Sequence, residues 1–229
     1  MKTIDINSIP RSLSKDHKEV KETIGILNCD KRKLYIIGLC VTFFAAASFF
    51  WFFYLREAKN LNAQDDVFQA IYHFEAGDFD KALNGDGFHK GFLEVIKQYP
   101  YTKTANLACF YVGVSYMHQK EYDQARSFLS RFKARDCILQ ARAWCVMGDA
   151  YSEQKNYKQA AIYYMKAARY KANSVYTPGY LVKAAIVFEA DAQYKNAYGC
   201  YQEIVEKYPT SGYGSGLAIK EASRLSVLF

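Results

Sequence analysis

Six cysteines, four histidines and one acidic, glycine-rich stretch are the groups in this 229-residue chain that could carry chemistry. Cys29, Cys40, Cys109, Cys137, Cys145 and Cys200 contain no C-x-x-C pair and no spacing that would gather ligands around a metal. Cys109, Cys145 and Cys200 fall in helical patterns, where a buried thiol packs as a small hydrophobe. The sequence leaves open a bridge among the four cysteines from Cys109 to Cys200. His17, His73, His89 and His118 are scattered, with no H-x-x-x-H or H-E-x-x-H. No serine stands in G-x-S-x-G and no glycine-rich phosphate loop occurs. The expectation is a chain with no catalytic residue, no metal ligand and no cofactor, and not an enzyme.

The stretch Asp78 to Gly87 has the composition of a calcium loop without its order. Counting from Asp78, the fifth and sixth positions are Ala82 and Leu83, where a ligand and a glycine are required, and the twelfth is not Glu. A flexible surface turn is expected instead.

Residues 34 to 55, LYIIGLCVTFFAAASFFWFFYL, are 22 positions without a charge. As a helix they reach about 33 Å, enough to cross a bilayer core. Tyr35 stands at one end and Trp51 and Tyr54 at the other, where amphipathic aromatics favour the headgroup level. A cleaved signal peptide fits less well, because 33 residues precede the run and Ala45, Ala46 and Ala47 are followed by more apolar residues.

Residues 1 to 33 carry eight Lys or Arg, whereas the 25 residues after the span carry only Arg56 and Lys59. The positive-inside rule then places the N-terminus in the cytoplasm and residues 56 to 229 across the membrane, which in a bacterium is the periplasm. The formal charge of +7 is no nucleic-acid footprint, since the tail holds eight bases against five acids and the remainder is dispersed. The expected layout is a cytoplasmic basic tail 1–33, a transmembrane helix 34–55, a linker 56–64 and a folded domain 65–229, single-pass in the inner membrane.

That domain repeats. A turn residue, an aromatic, two further residues and an alanine recur as Asp78-Phe79-Asp80-Lys81-Ala82, Glu121-Tyr122-Asp123-Gln124-Ala125, Asn156-Tyr157-Lys158-Gln159-Ala160 and Gln193-Tyr194-Lys195-Asn196-Ala197. Before the last three copies, Cys109, Val112, Gly113 and Tyr116, then Trp144, Met147, Gly148 and Tyr151, then Leu181, Ala184, Ala185 and Phe188 each fall on one helix face. After them, Leu129 and Phe132, Tyr164 and Ala167, and Tyr201 and Ile204 supply the facing helix. The small residues let two backbones approach. Pro100 and Pro209 close repeats, and Thr177-Pro178 reads as a helix start with the hydroxyl as cap. The first repeat carries an insert at Leu83 to Gly87, with its second helix resuming at about Lys90. Residues 216 to 228 read as a final amphipathic helix covering the last repeat.

These residues resemble the tetratricopeptide repeat. Trp144, Met147, Gly148, Tyr151, Ala160 and Tyr164 nearly complete its signature. The resemblance implies an all-α fold: a transmembrane helix followed by an α-solenoid of three clear repeats, one divergent first repeat and a C-terminal capping helix. It also implies a peptide groove lined by the first helix of each repeat. Its offsets select Phe110, Val114, Met117 and His118, then Arg142, Asp149, Ser152 and Glu153, then Val182, Ile186 and Glu189. No concentrated Lys and Arg clamp for a terminal carboxylate is present. Whether the groove takes a partner, solvent or the chain's own C-terminal helix is left open.

Tail, span and exported repeats together resemble the YfgM-like family of ancillary SecYEG translocon subunits. Phe79 to Gly87, Gly91-Phe92 and Thr104 to Ala108 look like the Bacteroidetes-type version. The resemblance implies a tethered interaction protein whose partners are a SecYEG-type translocon, a periplasmic chaperone or an exported client. An envelope-assembly or cell-division scaffold built from the same repeats is the alternative.

Overall fold

The computed structural model describes residues 11–214 and 216–228, with side chains from residue 32 onward apart from that of Cys137. The side chains of the basic tail up to residue 31, Cys29 among them, lie outside the described residues. The chain divides into two units, Met1–Leu55 and Arg56–Phe229.

Among the described residues the secondary structure is helical throughout. Helix α1 spans Arg11–Glu75. Its apolar stretch has a mean hydropathy of 2.2 over the best window and none of that window is buried, so it is long and apolar enough to cross a membrane. Near its middle the Thr42 hydroxyl donates to the Leu39 carbonyl at 2.9 Å, which pairs that donor within the helix.

In the second unit, the helices pair. The end of α1 packs with α2 (Phe79–Asn84) and α3 (Phe92–Gln98). The next pairs are α4 (Lys103–His118) with α5 (Tyr122–Arg131), α6 (Cys137–Glu153) with α7 (Tyr157–Arg169) and α8 (Thr177–Ala190) with α9 (Tyr194–Lys207). Helix α10 (Leu217–Leu225) closes the series by burying Ala218, Ala222 and Leu225.

One turn is used four times. Gly77, Lys120, Lys155 and Ala192 each take a left-handed φ between 57° and 78°. The next residue in each case, Asp78, Glu121, Asn156 or Gln193, donates its N–H to the carbonyl five positions back and begins the following helix. This double closure ends the first helix and starts the second with a turn of only three residues between them. The alanine four residues on is fully buried in all four copies (Ala82, Ala125, Ala160, Ala197).

Close approach within a pair depends on glycine. A Cβ on Gly113 would lie 2.4 Å from Leu129 Cγ, and one on Gly148 would lie 2.7 Å from the Tyr164 ring. The same spacing of small residue and partner in both repeats thus sets the distance between the two helix axes. Two apolar clusters result, one around Phe92, Leu129 and Phe132 and one around Tyr164, Leu181, Tyr201 and Ile204, with Trp144 packing against both.

Two local expectations are corrected. Helix α8 begins where Thr177-Pro178 predicts, yet the Thr177 hydroxyl accepts the Asn173 N–H at 2.9 Å, and the capping residue is Tyr176. The Asn173 side chain in turn accepts from the Val175 and Tyr176 N–H groups, so a compact loop stands where a simple cap was expected. The insert of the first repeat is an ordered turn. Asp86 accepts the N–H groups of Phe88 and His89 and faces both imidazoles, His73 at 3.4 Å and His89 at 3.0 Å. These bonds, led by the His89 N–H, hold its carboxyl well below the usual range. A bridge between Gly85 and Lys90 closes the turn, and the helix resumes at Phe92 rather than Lys90.

Candidate protein-binding groove

The first helices of repeats three and four, α6 and α8, flank a cavity of 320 Å³. Arg142, Asp149 and Val182 from the sequence-derived set line it, joined by Val146, Tyr180 and Lys183 and, from the loops, by Val175, Tyr176 and Tyr213. A second cavity of 360 Å³ continues along α8 toward α10, lined by Val182, Ile186, Glu189, Tyr201, Leu217 and Glu221. Five of the predicted residues therefore line two hollows that share Val182.

The charge in the first hollow is organised. Asp149 Oδ1 accepts from the Tyr164 hydroxyl at 2.6 Å and from Lys183 Nζ at 2.6 Å. Burial, with Asp149 beside it, drives the Tyr164 phenol far above its usual range, so it stays a donor. Burial works against the Lys183 charge, but Cys145 and Asp149 outweigh it and raise its pKa. Arg142 is exposed and has no carboxylate partner among the described residues.

In the second hollow Glu189 pairs with Arg224 of α10, which also holds Glu221 at 2.6 Å. The capping helix thus engages the far end of the groove by an ion pair and leaves its apolar wall, Val182 and Ile186, uncovered; Ile186 is 55 % exposed.

The remaining predicted residues lie elsewhere. Phe110 is 7 % exposed and packs on Phe132 with ring centroids 5.4 Å apart, so it serves the core rather than a groove. Val114 packs half-buried beside it. His118 is exposed and stacks on Phe79, 4.2 Å away, at the turn of the first repeat. Met117 and Ser152 are half-buried, and Glu153 accepts the Tyr122 hydroxyl at 3.4 Å. None of these six lines either hollow. The offsets that selected them assume equal exposure in every repeat, whereas Phe110 of α4 is covered by Phe132.

Lys183 and Cys145 were the residues to find: Cys145 follows the signature Trp144 as Val182 follows Leu181, and Lys183 comes one position after Val182. Tyr213 has no such signal, since it arrives from the turn after Pro209.

The thiol that lines the first hollow is not poised as a nucleophile. Burial, with Asp149 next, pushes the Cys145 thiol up to about 12; burial and Glu203 push Cys200 up to about 11, and burial also raises Cys109. All three are free thiols, as is Cys40. Protonated thiols are poor nucleophiles. Among the described residues no three His, Cys, Asp or Glu side chains converge as a metal site.

These paired helices and their shared turn are tetratricopeptide repeats, and the second unit is an α-solenoid. The tetratricopeptide repeat profile matches residues 108–136 and 180–211. A crystal structure of nearly identical TPR-like repeats from a candidate kinesin light chain of Podosopora anserina superposes with a TM-score of 0.54. It covers 73 % of this chain and 86 % of that one at 11 % identity, a likeness of fold alone. No curated protein sequence matches the chain. Repeats of this kind indicate a protein–protein interaction scaffold.

Proposed function

We propose that the chain is a membrane-tethered scaffold that holds extended polypeptide in the groove between α6 and α8, and that it acts as an ancillary subunit at a SecYEG-type translocon. The observation that carries the reading is the pair of hollows along α8, apolar at Val182 and Ile186 and set between charged groups, in a protein whose first unit bears a 22-residue uncharged helix. A short peptide needs such a surface: apolar pockets for its side chains and fixed charges to orient it. Tethering raises the local concentration of a weak groove at the membrane, where emerging chains are found. The excess of basic residues before the span supports an N-terminus in the cytoplasm and repeats in the periplasm.

The test is chemical crosslinking in the native membranes, followed by purification of the full-length chain in mild detergent. Recovery of the channel or of a periplasmic chaperone supports the proposal. Recovery of division or outer-membrane assembly components would keep the scaffold and discard the translocon role.

A further inference from the structure

The two edges of the solenoid differ in charge. The connections that lead from one repeat into the next, 97–103, 131–136 and 169–176, hold seven Lys or Arg against one Asp. The turns within repeats, 75–81, 119–124, 153–158 and 189–195, hold eight acids against five bases. The single acid of the basic edge, Asp136, is occupied in capping α6, where it accepts from the Ile138 and Leu139 N–H groups. Lys133, Arg135 and Lys171 are exposed and have no carboxylate partner among the described residues.

A series of contacts strings this edge together. Lys103 lies 3.7 Å from Glu57, Asn106 exchanges hydrogen bonds with the Lys133 backbone at 2.9 and 3.0 Å, and Lys171 donates to the Arg135 carbonyl at 2.9 Å. Glu57 is only two residues beyond Leu55, about 3 Å along a helix. The second unit therefore begins at its own basic edge. The same edge displays Tyr101, 81 % exposed, and Val175, 71 % exposed. Exposed tyrosine among lysines is the composition of a bilayer headgroup zone.

We propose that this edge rests on the surface of an anionic bilayer, with Lys103, Lys133, Arg135 and Lys171 against lipid phosphates and Tyr101 at headgroup depth. The inference rests on the reading of residues 34 to 55 as an anchor. Charge complementarity and continuity with that anchor select lipid over a protein partner.

The test places the full-length chain in nanodiscs of phosphatidylcholine alone or with about one third phosphatidylglycerol, and follows acetylation of each lysine by mass spectrometry. Lys103, Lys133 and Lys171 are expected to react at least about threefold more slowly in the anionic discs and to recover at high salt, which screens the attraction. Lys120 and Lys155, on the opposite edge, are expected to react equally in both. Lys133→Glu combined with Arg135→Glu should abolish the difference at Lys171. Equal rates at the three lysines in both discs would overturn the proposal. So would slowing shared by Lys120 and Lys155, or slowing that follows protein concentration instead of lipid and so marks a second copy. Failure of the chain to enter discs would overturn the anchor reading instead, and this inference with it.

Discussion

Tyr164 donates its hydroxyl to Asp149 at 2.6 Å while its ring lies where a Cβ on Gly148 would stand. One side chain of α7 therefore sets the spacing of the third repeat and orients a carboxylate in the groove. Lys183 of α8 reaches the same oxygen, so the packing inside one repeat and its junction with the next meet at a single acid. A groove whose charges are held by the core is preorganised, and less ordering is needed when a peptide docks.

Gly148→Ala tests that arrangement. The added methyl lies 2.7 Å from a buried ring that has no free space, and overpacking of this kind costs about 1–3 kcal/mol. The thermal midpoint of the full-length protein in detergent should fall by several degrees. An unchanged midpoint would show that α6 and α7 slide apart without cost.

Acid should loosen the last repeat. Glu203 receives hydrogen bonds from Arg169 and Lys207, and Arg169 above all holds its carboxyl below the ordinary 4.5. A group whose folded pKa is depressed gives its full stabilisation above the unfolded value and loses it as pH falls through the folded one. Thermal midpoints should therefore be level above about pH 5 and drop below 4.5, and Glu203→Gln should lower the neutral-pH midpoint while flattening the drop. A variant as acid-sensitive as the parent would assign the loss to other carboxylates.

The buried thiols are open to a direct check of their reactivity. With Cys145 raised to about 12 and Cys200 to about 11, neither carries appreciable thiolate at pH 8. Iodoacetamide should leave Cys109, Cys145 and Cys200 unlabelled in the folded protein and label all three in urea. Rapid native labelling of Cys145 would mean that the groove presents a reactive thiol after all.

Much of this fold is written locally. The four turn motifs fix where each pair bends, and the buried alanines with Gly113 and Gly148 fix how closely its helices pack; both are short-range patterns that survive in sequence. The insert in the first repeat is legible for the same reason, as an interruption of period. What is not legible depends on partners distant in sequence. Phe110 occupies a groove offset yet is covered by Phe132, Asp86 orders a turn by reaching back to His73, and Tyr213 enters the hollow from beyond the last repeat. Register in the repeat finds five residues of the hollows, and tertiary packing decides the rest.

The most direct test of the groove is photo-crosslinking from a benzoylphenylalanine placed at Val175, at the mouth of the hollow and 71 % exposed, compared with one at Ile162, 56 % exposed on α7 outside both hollows. In native membranes the account predicts discrete protein adducts from position 175 that disappear when Val182→Asp is added, and few from position 162. Equal adducts from both positions, or adducts from 162 alone, would contradict it.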